Sequence, residues 1–207
     1  MVVGTARASV TWCCVSESLW SASAEDLLNR TASAAPTPGG GSVAAICGSL
    51  GVGLMQMAVA VTGDTALEQH AGRLASLQQA IVPAADGDVH DFDAVMAAYR
   101  LPKGDAAEVA ARASAIESTS IAATERPLNL VAHFIDALAL SHELDALVKP
   151  RVISDVFAGR DVVLGAARAA IRTADINIDQ LDRASSPAVS GLRARRDALV
   201  SMLEETS

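Results

Sequence analysis

Between positions 31 and 63 the chain carries no charged side chain. A run of that length is not a solvated surface element; the rest of the chain, a second copy or lipid has to cover it. The part from Val43 to Val61 is long enough to cross a bilayer. It is interrupted, however, by Gly48, Ser49, Gly51, Gly53 and Gln56, a composition that suits close contact with protein better than contact with acyl chains. Ala45, Ser49 and Gly53 recur every fourth residue and form a stripe with almost no side chain, against which another helix can approach closely. The run predicts one long helix buried in protein, with no membrane partner.

Hydrophobic residues fill 51% of the 207 positions and aromatic ones only 3%. Alanine and leucine supply most of the apolar set, so the inventory favours helices over strands. The length suits one core, and the fold class expected is all-α, a multihelical up-and-down bundle. The net charge of -8 argues against a nucleic-acid partner, because phosphate binding rests on clustered Lys and Arg. Arg193, Arg195 and Arg196 are interleaved with Asp197, Glu204 and Glu205 and read as a solvated face. The three cysteines, Cys13, Cys14 and Cys47, are odd in number and two are adjacent, which suits reduced thiols and a cytoplasmic location. Residues 1–22 read as a frayed extension, open to disorder, ahead of a helical domain at 23–207: the short apolar run after Arg7 resembles a leader, but Thr11, Ser16 and Glu17 interrupt it.

Eight helices are expected. Ser23 with Asp26 caps the first, and the charge-free helix follows Ser42. Gly63 and Asp64 end it; Leu67, Ala71, Leu74, Gln78 and Ile81 then mark a third helix, up to Pro83. Phe92, Val95, Met96 and Tyr99 give a fourth, stopped by Pro102. Asp105 with Glu108 caps a fifth, which Pro127 either kinks or divides from a sixth. Pro150 breaks the chain, Ser154 caps a seventh helix toward Leu181, and Ser186-Pro187 opens the last.

Three segments carry candidate chemistry. Thr37, Pro38, Gly39, Gly40, Gly41 and Ser42, with Pro36 before them, form a stiff glycine-rich loop that opens a helix, where backbone N–H groups can meet an anionic or carbonyl-bearing ligand. No Lys-Ser or Lys-Thr follows and no strand precedes, which excludes a nucleoside-triphosphate or dinucleotide loop. The second segment is Asp86-Gly-Asp-Val-His-Asp-Phe-Asp93. Asp88 shares a helix face with Phe92; if Phe92 meets the core, Asp88 sits at the edge of the apolar interior, where burial raises a carboxyl pKa toward a value useful for proton transfer. Asp86, Asp91 and Asp93 are expected to act through the helix dipole or solvent. As a calcium loop the run fails, with Asp91 where glycine belongs and Ala97 where the bidentate glutamate belongs, and no metal is expected. The third segment ends a helix and presents Arg100 and Lys103.

In this order the pieces resemble the cyclodeaminase/cyclohydrolase family, which includes methenyltetrahydrofolate cyclohydrolases and the C-terminal part of formiminotransferase-cyclodeaminases. The resemblance spans about residues 23–182. It rests on Pro36-Thr-Pro-Gly-Gly-Gly-Ser-Val-Ala-Ala45, Asp88 four residues before Phe92, Val95-Met-Ala-Ala-Tyr-Arg-Leu-Pro-Lys103, Pro127-Leu128, Ser154-Asp155 and Ile176-Asn177. It implies an intimate homodimer of helical protomers and a tetrahydrofolate derivative as substrate, held between helices near the glycine loop. Asp88 would be the catalytic proton shuttle, with Thr37 to Ser42, Arg100, Lys103, Ser154, Asp155 and Asn177 at the substrate. The reaction implied is hydrolysis of 5,10-methenyltetrahydrofolate to the 10-formyl form, or closure of formiminotetrahydrofolate with loss of ammonia. The first is the more expected, since no formiminotransferase domain is attached.

The chain departs from that pattern at several points. The family's lysine-rich segment after the long helix reads Gly63-Asp-Thr-Ala-Leu67 here, which removes an attraction for a glutamate tail and adds a repulsion. The acid usually found before Asp88 is Gly87, the Gly-Asn before Ser154 is Val148-Lys149, and a late Asn is Thr173. An alternative reading is therefore a non-catalytic or repurposed helical dimer that keeps the pocket for another small molecule or for a partner enzyme.

Overall fold

The computed structural model of the chain describes residues 17–207. The leader-like apolar run, Cys13 and Cys14 lie outside the described residues. Seven α-helices follow one another: α1 (Ala24–Thr31), α2 (Gly40–Thr62), α3 (Glu68–Ile81), α4 (Ala84–Tyr99), α5 (Ala106–Leu144), α6 (Ile153–Arg183) and α7 (Val189–Thr206). Short 3-10 turns precede α3 and α6, and no strand occurs among the described residues.

Two of the helices, α1 and α5, start at a residue whose own side chain caps them. Ser23 accepts from the Asp26 N–H, and Asp105 accepts from the Glu108 N–H while Glu108 reaches back to the Gly104 N–H. Ser154 is no cap. A 3-10 turn, Pro150–Val152, leads straight into α6, so Ser154 lies inside the first helical turn.

There is one helix fewer than expected, because α5 runs unbroken through Pro127. A proline inside a helix costs about 3 kcal/mol through its missing N–H and its clash with the preceding turn. Here Leu128, Leu130, Val131, Phe134 and Ile135 follow it and are all buried. Each such side chain contributes roughly 1.5–3 kcal/mol, so core burial outweighs the local penalty.

The core is built by α2, α5 and α6, with α3, α4 and α7 packed around them. α2 lies along α6 because two glycines meet: a Cβ on Gly51 would stand 2.8 Å from the Gly159 carbonyl oxygen, and one on Gly159 2.6 Å from that of Gly51. Gly48 leaves room for the Phe134 ring. The close approach therefore falls at Gly48 and Gly51. Ala45 and Ser49 of the expected stripe are buried, but Gly53 faces open space. The register differs because the buried face of α2 is wide, and periodicity alone does not say which small residue sits at the crossing point.

α2 is long and apolar enough to cross a membrane, with a mean hydropathy of 1.8, and 56% of that window is buried by the protein itself. Its remaining face is exposed and apolar: Leu50 is 61%, Met57 43% and Val61 41% exposed. Gly63, at φ 63°, ends the helix in the left-handed conformation.

The chain is already packed before Ser23. Leu19 is 3% exposed, Ser18 Oγ and Leu19 N donate to the Asp86 carboxylate at 2.5 and 2.7 Å, and Trp20 Nε1 donates to the Val82 carbonyl. Asp86 is thus a tether for this segment and not merely a dipole partner.

Candidate active site

The glycine loop and the start of α2 close one end of a cavity of ≈ 280 Å³. Its other walls come from three helical faces read at i, i+3, i+4 and i+7 spacing: Asp88, Asp91, Phe92, Val95 and Met96 from α4, Ser120 and Ala123 from α5, and Thr173, Ile176, Asn177 and Gln180 from α6.

Asp88 meets the first turn of α2. Its Oδ2 accepts from the Ser42 backbone N–H and from Ser42 Oγ, both at 2.8 Å. The carboxylate thus stands where a side-chain cap would, at the positive end of the helix dipole. Gly39, the residue in the N-cap position, has no side chain to do this. Gly41 makes the approach possible, since a Cβ there would overlap the Asp88 carboxyl group. The expected role of Phe92 changes: it is half-buried and lines the cavity with Val95 and Met96, while Tyr99 is 48% exposed. The core face of α4 is Ala84, Ala85 and Ala98 instead, and Asp88 lies beside the apolar wall of a cavity.

Asp91 corrects the sequence reading. It is 8% exposed, lines the cavity and is paired with Arg126 of α5, whose Nε and Nη2 both reach its carboxylate, the latter at 3.1 Å. Hydrogen bonding to Asp91 holds the Arg126 guanidinium above its usual pKa, the Asp91 and Asp88 charges adding to the effect and burial opposing it. Gly87 is part of this arrangement, because a side chain there would collide with the Arg126 guanidinium. Asp93 is exposed, as expected.

Of the residues expected at the substrate, Thr37, Gly39, Gly40, Gly41, Asp88 and Asn177 line the cavity. Ser42 is buried beneath it and orients Asp88. Pro38 follows a cis peptide bond in the loop and is not part of the lining. Arg100 and Lys103 are exposed beyond the end of α4, a turn past Met96, and do not line it. Ser154 and Asp155 stand at the opposite end of the protomer. They are 22 or more positions from Asn177 on the same helix, roughly 33 Å away at 1.5 Å per residue. The loop after α2, where the lysine-rich segment would fall, is at that far end too. Phe92, Val95 and Met96 as lining, together with Ser120, Ala123 and Gln180, were not identified from sequence as site residues, whereas Thr173, noted there as a departure from the family pattern, does line the cavity. Their helical spacing was visible, but it marks a core face as readily as a cavity face.

A carboxylate held at a helix start beside a partly apolar slot of this size has the form of a small-molecule pocket in a helical fold. The profile of the formiminotransferase-cyclodeaminase family matches residues 23–190, and the chain belongs to that family. It is 35% identical over 162 residues to a methenyltetrahydrofolate cyclohydrolase of Methylorubrum extorquens, covering 74% of this chain and 76% of that one. The crystal structure of a formiminotetrahydrofolate cyclodeaminase from Thermotoga maritima superposes with a TM-score of 0.66 at 16% identity, covering 90% of this chain and 96% of the other. The chain is an enzyme of this cyclohydrolase/cyclodeaminase kind.

Proposed function

We propose that this enzyme hydrolyses 5,10-methenyltetrahydrofolate to 10-formyltetrahydrofolate. The observation that carries the reading is the Asp88 carboxylate fixed by Ser42 at the rim of an apolar slot. Water attacks the bridging carbon of the methenyl cation, and Asp88 takes one of its protons. The C–N5 bond then opens, the hydroxyl proton of the addition product passes to N5, and the carbon stays on N10 as the formyl group. One proton is released overall, from Asp88. Phe92, Val95 and Met96 give the ring system an apolar wall, and the N–H groups of Gly40 and Gly41 point from the helix start toward developing negative charge. The relative named as a cyclohydrolase supports this reaction over the cyclodeaminase one.

The test follows 5,10-methenyltetrahydrofolate absorbance with and without enzyme, and ammonia release from formiminotetrahydrofolate in parallel. Loss of absorbance at the uncatalysed rate refutes the cyclohydrolase reading. Ammonia release without it transfers the assignment to the cyclodeaminase reaction.

The working unit we propose is a homodimer in the cytoplasm, paired through the exposed face of α2. Val43, Cys47, Leu50, Leu54, Met57 and Val61 repeat at spacings of four and three, the seam of a coiled coil, and none is fully buried in the protomer. The seam is centred near the middle of α2, and the pairing we propose places a two-fold axis there, perpendicular to the helix, so that the two copies of α2 run antiparallel. The end carrying Asp64, Ser154 and Asp155 then lies beside the partner's glycine loop. Such a dimer gives Ser154 and Asp155 a place near substrate that a single protomer does not. Leu50→Arg is expected to yield monomers by analytical ultracentrifugation at micromolar concentration, with helical circular dichroism retained; a wild-type monomer refutes the pairing.

A further inference from the structure

The proline inside α5 has an effect that reaches the cavity. Pro127 has no N–H, so the carbonyl four residues earlier, that of Ala123, is left without its α-helical donor. α6 supplies a replacement: Asn177 Nδ2 donates to the Ala123 carbonyl oxygen at 2.9 Å. Ala123 and Asn177 both line the cavity.

This bond fixes which way round the Asn177 amide sits. A carbonyl oxygen only accepts, so the amide nitrogen faces Ala123 and Oδ1 is turned away from it. The Asn177 side chain makes no other hydrogen bond among the described residues, and its Oδ1 is free to accept.

We propose that Pro127 is a positioning residue. By withdrawing the donor that would otherwise occupy the Ala123 carbonyl, it locks Asn177 with Oδ1 available to an N–H of the bound ring. The proline ring also crowds the carbonyl of the preceding turn. The identity of the ring rests on the folate reading, because the aminopyrimidinone edge of a tetrahydropterin offers N–H donors; the orientation of Asn177 does not. The two features lie 50 positions apart and become one device only where α5 packs on α6. A site that reads ring N–H groups through a fixed acceptor rejects analogues lacking them, since the acceptor would be left unpaired.

The experiment begins with wild-type protein. A scalar coupling across the Asn177 side-chain nitrogen and the Ala123 carbonyl carbon should be detectable by NMR in labelled enzyme, and its absence overturns the proposal. In Pro127→Ala the backbone N–H returns to the Ala123 carbonyl. The coupling should vanish, and the Asn177 amide protons should exchange with water at least tenfold faster. Affinity for 5-formyltetrahydrofolate, by calorimetry, should fall about tenfold with helical circular dichroism intact. Asn177→Ala should weaken the same ligand similarly, and adding Pro127→Ala in that background should change little. Pro127→Ala that keeps the coupling and the affinity refutes the proposal, as does an equal loss in the Asn177→Ala background. If Pro127→Ala fails to fold, the wild-type coupling and the Asn177→Ala affinity decide. Wild-type protein that shows the coupling but binds no reduced folate counts against the folate reading and leaves the positioning of Asn177 standing.

Discussion

Asp88→Asn is expected to lower turnover of 5,10-methenyltetrahydrofolate by about 10² to 10⁴, the range usual for loss of a general acid–base. The substitution isolates proton exchange from architecture. Asp88 holds the start of α2 by accepting from Ser42 N and Ser42 Oγ through a single oxygen, and an amide oxygen can accept the same two bonds. The loop should stay in place and ligand affinity should change severalfold at most. Replacing the carboxylate by a bulkier or shorter group would confound the two effects, because Gly41 leaves no slack against it. The measurement is a pair of steady-state constants: kcat should fall while KM moves little. An Asn variant that keeps most of an active wild-type rate would make Asp88 a structural cap and require another proton carrier. Asp91 would be a poor substitute, being occupied by Arg126.

Arg126→Met should destabilise the fold by about 2 kcal/mol. Breaking a buried ion pair from one side costs roughly 3–5 kcal/mol, because the remaining charge is stranded. That range is reduced here because the Arg126 side chain is 35% exposed, so water already screens part of the pair. In a chain of this size about 2 kcal/mol lowers the melting temperature by roughly 4–8 °C. Adding Asp91→Asn should recover much of the loss, since no charge is then left behind. Thermal unfolding of the two single variants and the double variant measures this directly. Equal losses that simply add would mean the pair contributes nothing beyond its separate parts. The same cycle bears on catalysis, since Arg126 also feels the Asp88 charge. Its removal leaves two carboxylates one turn apart on α4 with no cation between them and solvent.

The alternative of a repurposed dimer leaned on the absent lysines and on Gly87. The fold gives each a different weight. Gly87 is not simply a missing acid: the space beside it is filled by the Arg126 guanidinium, which is paired with Asp91. The loop from Gly63 to Leu67 is at the other end of α2 from the glycine loop, and within one protomer its charge does not reach the cavity.

The helical class, the uncharged central helix and the glycine loop that opens it were legible in the sequence. Each depends on residues within one or two turns of one another, and helical periodicity and motif spacing report those distances directly. Of the two outcomes expected at Pro127, a kink or a new helix, the division does not occur: local propensity allows an end there, whereas the buried side chains from Leu128 to Ile135 carry the helix through. Asp91 looked like one more first-turn carboxylate until Arg126, 35 positions away, was found against it. Phe92, Val95 and Met96 have the same spacing whether they meet a core or a cavity. Which of these holds, where Gly51 crosses Gly159, and that Asn177 completes the carbonyl freed by Pro127, only the packing of α2, α4 and α5 on α6 decided. Those contacts join side chains on different helices, and their geometry follows from how the helices cross, which no repeat along a single helix encodes.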